Sequence, residues 1–199
     1  MATTSESMRT ERPGREVVIT RVIKAPKEKL WKAWTDPQLF RRWWGPTEHT
    51  APVAEAELRV GGKFRSSMRD RSGNDIWSTG TFREIEEPRR LVYGTSFSDP
   101  EGRIVPASYY GMKGDWPRET TVEVTLEDVR EGTKMTVRHR GLPDDENSRQ
   151  AEEGWNQSFD KLEDELLGTR GEERGPRSEE ERRARREETE EPEKRRERQ

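Results

Sequence analysis

Residues 145–167 carry Trp155, Phe159, Leu162 and Leu166 at spacings of four, three and four. That rhythm draws one apolar stripe along an α-helix of about six turns, with charged residues such as Glu163 on the opposite face. Such a stripe has to be covered. The segments before it alternate with a period of two: Val122, Val124 and Leu126 against Glu123 in 120–127, and Met135, Val137 and His139 against Arg138 and Arg140 in 133–140. Alternation of this kind marks strands with one buried face. An antiparallel sheet must bury that face on another layer, and the closing helix is the only element long enough to lie across it. The expected fold is therefore α+β, a curved antiparallel sheet wrapped around a long C-terminal helix. Aromatic side chains that hold the two layers apart make an internal cavity an expectation of the same plan.

The earlier part of the chain fits. Residues 16–24 are rich in β-branched side chains and read as a first strand. Two short helices are expected after it. Ala25-Pro26 opens one, with proline at the first helical position and Leu30, Trp31 and Trp34 on a single face. Asp36-Pro37 caps the other, which carries Leu39, Phe40, Trp43 and Trp44 before the stop at Gly45-Pro46. Further strands are expected at 62–69, 76–86 and 90–97, with Phe64 and Met68 on one face of the first. Strand character is weaker in 50–58. Residues 99–117 read as a long loop carrying Tyr109, Tyr110, Met112 and Trp116, and long loops with several aromatics often serve as lids.

Composition divides the chain. Residues 16–167 hold all seven Trp, all five Phe and all three Tyr, enough for one core, whereas from 170 to 199 the only aliphatic side chain is Ala184. The organisation expected is a disordered leader over 1–15, one domain over 16–168, and a charged low-complexity tail over 169–199 that is disordered or a fluctuating helix. From residue 170 the tail sets eleven Glu against eleven Lys or Arg, so it makes no field of one sign. A formal net charge of −3 likewise offers nucleic acid no basic surface. The absence of cysteine excludes disulfides, thiol catalysis and cysteine-held metals. With two histidines and no carboxylates at metal spacing, no metal or other cofactor is expected. The first fifteen residues lack the apolar run of a signal peptide and no stretch of eighteen apolar residues exists, so a cytoplasmic protein without a membrane span is expected.

Several ordered motifs point further. Ile19-Thr20-Arg21-Val22-Ile23-Lys24-Ala25-Pro26, then Trp31, Ala33-Trp34-Thr35-Asp36-Pro37 and Trp43-Trp44-Gly45-Pro46 are followed by Gly61-Gly62-Lys63-Phe64-Arg65 and Gly80-Thr81-Phe82. Pro88-Arg89-Arg90-Leu91-Val92 and Gly154-Trp155-Asn156-Gln157-Ser158-Phe159 complete the series. Over residues 16–167 this resembles the activator of heat-shock-protein-90 ATPase homologue-like family of the START-like (SRPBCC) superfamily. The resemblance implies the helix-grip fold, in which a curved sheet grips the C-terminal helix around a cavity. It also implies a range of roles, since the superfamily includes lipid carriers, hormone receptors, polyketide cyclases and co-chaperone domains. The eukaryotic co-chaperone has a separate N-terminal domain that binds the chaperone, which lies outside the resemblance.

The function expected is a non-enzymatic binding module, a carrier or sensor whose partner is a small apolar or lipid-like molecule. Alternatives are a cyclase- or hydrolase-like enzyme using the same cavity, and a protein-interaction role with a chaperone or a second copy of the chain. By alternation and helical spacing, Phe64, Met68, His139, Trp155 and Phe159 are expected on the cavity wall. Tyr110, Met112 and Trp116 of the loop are expected at its mouth, and Trp77 belongs to the same aromatic set. No catalytic residue is assigned. His139 is an imidazole that titrates near neutrality and also an ordinary hydrogen-bonded core histidine in pattern. Gly61-Gly62-Lys63 enters a strand and not a helix, which makes it a turn and not a phosphate loop.

Overall fold

The computed structural model describes residues 14–168, and the expectations for 1–13 and 169–199 lie outside the described residues. The chain runs β1 (Arg15–Ile23), α1 (Lys27–Thr35), α2 (Pro37–Trp43), β2 (Ala54–Ala56), β3 (Lys63–Arg69), β4 (Asp75–Glu86) and β5 (Arg90–Ser98). A 3₁₀ turn at Ala107–Tyr110 interrupts the following loop, and β6 (Thr120–Val129), β7 (Gly132–Leu142) and α3 (Glu146–Leu167) complete it. The seven strands form one antiparallel sheet in the order β1-β7-β6-β5-β4-β3-β2. The first strand thus pairs with the last. The sheet is curved and the long helix packs against it, which is the helix-grip fold.

Local chemistry sets the helix starts. The Asp36 carboxylate accepts from the backbone N–H of Gln38 at 2.8 Å and of Leu39 at 3.4 Å, and Pro37 begins α2 where no N–H is needed. Pro26 sits one position earlier than expected. It is the N-cap of α1 with extended backbone, and its carbonyl accepts from Lys29 and Leu30. The weak strand at 50–58 shrinks to the three residues of β2. Pro52 lies in that segment without an N–H, and Thr50 makes only an isolated bridge to Arg69.

The register lines up one apolar face across the sheet. Ile19 lies opposite Val137, His139 opposite Val122, Val122 opposite Tyr93, and Tyr93 opposite Phe82. Beyond them Phe64 faces Gly80 and Met68 faces Ile76. Gly80 is glycine for a reason: a Cβ there would come within 2.0 Å of the Gly94 carbonyl oxygen and 2.4 Å of a Phe64 ring carbon.

Against this face α1, α2 and α3 pack an aromatic core. Trp155 and Phe159 of α3 meet Trp34 at centroid distances of 5.9 and 6.2 Å, and Trp43 meets Trp34 edge-on at 4.8 Å. Phe159 and Leu162 are fully buried, as the stripe requires. Between them stands Lys161, only 6% exposed. Its ammonium donates to the carbonyls of Trp44, Gly45, Pro46 and His49 at 2.9–3.4 Å, and so ties α3 to the chain leaving α2. A cation there also suits the negative end of the α2 dipole. Arg21 on β1 makes a second tie, reaching Asp160 at 2.6 Å and Glu163 at 3.2 Å.

Candidate functional site

Where the sheet bends away from α3 the two layers do not close. They leave a cavity of about 360 Å³, bordered by α2, by β2 and by the loop between β5 and β6. The sheet contributes Phe64, Met68, Ile76, Phe82, Tyr93 and Phe97, α3 contributes Ala151, Gly154 and Trp155, and the corner after α1 contributes Phe40 and Trp44. Aromatic rings prop the walls apart. Phe40 stacks on Trp44 at 5.0 Å, Trp44 meets Trp155 edge-on at 5.0 Å, and Trp116 of the loop meets Phe97 edge-on at 5.3 Å.

Of the expected residues, Phe64, Met68, Met112, Trp116, His139 and Trp155 border this space. Trp77, Tyr110 and Phe159 do not. Trp77 falls out of phase in β4, where Ile76 and Ser78 face inward, so its ring lies on the outer side beneath the Arg65 guanidinium at 5.3 Å. The Tyr110 hydroxyl accepts from Trp77 N–H at 3.0 Å and donates to Ser98 carbonyl at 2.5 Å, which fastens the loop to the sheet. Phe159 points past the cavity into the core among Trp34, Trp43 and Trp155. Residues outside the expected set include Phe40, Trp44, Tyr93 and Phe97. The parity of β5 places Tyr93 and Phe97 with Leu91 and was the available signal.

Polar side chains also border the space, and several of them are paired. Ser66 and Ser78 bond each other at 3.0 Å. Glu55 and Arg65 are the only charged residues bordering the cavity among the described residues, and the Arg65 guanidinium lies on the outer face over Trp77, where it binds Glu55 at 3.0–3.2 Å. Burial alone raises the Tyr93 phenol above its ordinary range, which keeps it protonated. The indole N–H groups of Trp44 and Trp116 are buried without a partner among the described residues.

His139 has both nitrogens engaged. Trp155 Nε1–H, a donor only, reaches its Nδ1 at 3.2 Å, so Nδ1 accepts and the neutral ring carries its proton on Nε2. That Nε2–H faces Thr120 Oγ1 at 2.8 Å. Desolvation lowers the imidazole pKa to about 4, in accord with a ring held neutral. Such a ring offers no free lone pair for proton abstraction. His49, the other histidine, stands off the cavity and gives its carbonyl to Lys161. No cluster of histidine and carboxylate groups suited to a metal occurs among the described residues. Among them, too, no helix is long and apolar enough to cross a membrane.

A grip of sheet on helix around an apolar cavity defines a ligand-binding or interaction domain. The family model described as Activator of Hsp90 ATPase homolog 1-like protein matches residues 24–167, and the chain belongs to that family. Solved bacterial structures resemble it in fold. A protein from Chromobacterium violaceum is 24% identical, with a TM-score of 0.64 over 76% of this chain and 96% of its own. The AHSA1 protein from Silicibacter pomeroyi is 25% identical, with a TM-score of 0.63 over 77% and 98%. One from Nitrosomonas europaea is 22% identical, with a TM-score of 0.61 over 78% and 96%. No curated protein matches the chain.

Proposed function

We propose that the protein is a non-enzymatic carrier or sensor that holds one small, neutral, mainly apolar molecule between the sheet and α3. The observation that carries this reading is the cavity itself. Its 360 Å³ falls at the lower end of the size range of small-molecule pockets, about 300–1,000 Å³. Aromatic and aliphatic side chains dominate its wall, and the one charged pair at its border is compensated, with the Arg65 guanidinium on the outer face over Trp77. An ion entering such a space loses its hydration without gaining a free counter-charge, so a neutral occupant is favoured. The engaged state of both His139 nitrogens supports binding over acid–base turnover.

Titration with the neutral fluorophore N-phenyl-1-naphthylamine tests the reading. One-to-one saturable binding to the native protein, with quenching of tryptophan emission from Trp44, Trp116 and Trp155, is the expected result. Absence of saturable uptake by the folded protein overturns it, and a role in protein interaction then becomes the better account.

A further inference from the structure

The inner face of the sheet turns several hydroxyls toward the cavity. Ser66 and Ser78, opposite one another on β3 and β4, bond each other at 3.0 Å. Thr120 on β6 bonds His139 Nε2 at 2.8 Å. Tyr93 and Thr95, on the same face of β5, have hydroxyls that bond no group of the protein among the described residues. A threonine hydroxyl rotates close to its own strand and can turn to a neighbouring carbonyl. A phenol has no such choice, because its hydroxyl stands at the end of a rigid ring, beyond reach of its own backbone. The Tyr93 ring meets Phe64 edge-on at 5.2 Å and Phe82 at 6.2 Å, all three on the inner face. Since β5 is a central strand, the 8% of Tyr93 that stays exposed opens on the cavity. The indole N–H groups of Trp44 and Trp116 are sealed by packing, whereas the Tyr93 hydroxyl is not.

We propose that Tyr93 is the polar anchor of the cavity, its O–H donating to a neutral carbonyl oxygen on an otherwise apolar ligand. This rests on the cavity-binding reading above and narrows it. In the empty cavity the hydroxyl is served by water. A hydrocarbon guest displaces that water and leaves the donor bare, whereas a carbonyl replaces the bond. The phenol keeps its proton for this role, because burial raises its pKa. A carboxylate is disfavoured. Arg65, the one cation bordering the cavity among the described residues, turns its guanidinium out over Trp77 and toward Glu55. A ketone or ester on an apolar frame is therefore preferred to a hydrocarbon or a fatty acid.

Benzophenone, diphenylmethane and diphenylacetate, each measured by displacement of N-phenyl-1-naphthylamine, test the anchor. Benzophenone is expected to bind on the order of tenfold more tightly than diphenylmethane, the effect of about one net hydrogen bond. Diphenylacetate is expected to be no better than diphenylmethane. Tyr93→Phe keeps the ring and deletes only a hydroxyl that no protein group bonds, so it should fold and melt near the native protein. In it the benzophenone-to-diphenylmethane affinity ratio should fall several-fold, and the ratio cancels any change common to both probes. Thr95→Val should leave the ratio near the native value. Isotope-edited infrared spectra give a second readout that needs no variant: the carbonyl stretch of bound benzophenone should lie below its position in hexane. A ratio of one in the native protein, a ratio unmoved by Tyr93→Phe, a loss of the ratio in Thr95→Val alone, or a stretch unshifted from hexane overturns the assignment and leaves the cavity reading standing. Preferred binding of diphenylacetate overturns the neutral class. If the naphthylamine itself does not bind, the cavity reading falls and this one with it.

Discussion

At the scale of single residues, His139 shows how surroundings override intrinsic chemistry. A free imidazole titrates near 6.5, whereas this one is pushed down to about 4 because desolvation penalises its charged form. The folded state therefore binds fewer protons than the unfolded state between these two values. Stability from this group is complete above pH 6.5 and is lost as pH falls toward 4, by up to roughly 3 kcal/mol. Thermal melts should show the native protein losing midpoint from pH 7 to pH 5, and His139→Gln, which keeps an acceptor for Trp155, should lose less over that interval. Carboxylates held low, such as Asp99 beside Arg103 and Glu123 beside Arg90, lose their contribution in a more acidic window. Equal slopes in the two proteins between pH 7 and pH 5 would remove His139 as the cause. Strand alternation alone brought His139 to the inner face. Its bond to Trp155 joins residues on different elements, and no pattern within one element encodes such a meeting.

At the scale of elements, α3 is held by two kinds of contact that periodicity sees unequally. Leu162→Ala should cost about 2–5 kcal/mol, the range for a leucine deleted from a packed core. Glu163→Ala, on the polar face and linked to Arg21 at 3.2 Å, should cost less than about 1 kcal/mol, as partly exposed ion pairs do. Comparable losses in urea melts would mean that the stripe does not seat the helix. Lys161 is the element's hidden contact. Lys161→Met keeps the apolar stem and strips a donor from four backbone carbonyls, that of Gly45 buried and the others partly so, and a loss of roughly 1–3 kcal/mol is expected. A silent Lys161→Met would show that those carbonyls are served by water. The stripe was legible because its period is local. The lysine was not, since a charged side chain beside Leu162 reads as solvated until the loop at 44–49 is folded over it. The same limit explains Phe159: helical spacing placed it inward, but only the positions of Trp34 and Trp43 decide whether inward means core or cavity.

At the scale of the whole molecule, the cavity lies where the curved sheet and α3 are held apart by large rings. Filling that space should separate the ligand site from the fold. Met68 stands on the wall beside Gly45, where its Cγ would lie 3.4 Å from a Cβ built on the glycine. Met68→Trp puts a larger ring into void and not into packed core, so its own midpoint should stay within a few degrees of the native value; overpacking a closed core instead costs about 1–3 kcal/mol. Ligand linkage then gives the contrast. At a hundred times its dissociation constant a ligand adds about 2.7 kcal/mol to the folded state, which for a chain of this size raises the midpoint on the order of 5–10 °C. With N-phenyl-1-naphthylamine the native protein should show that rise and Met68→Trp should not. A variant that melts normally and still gains the full shift would place the probe elsewhere on the protein. One that melts far below the native protein without ligand would mean that the space beside Met68 is not available to a guest.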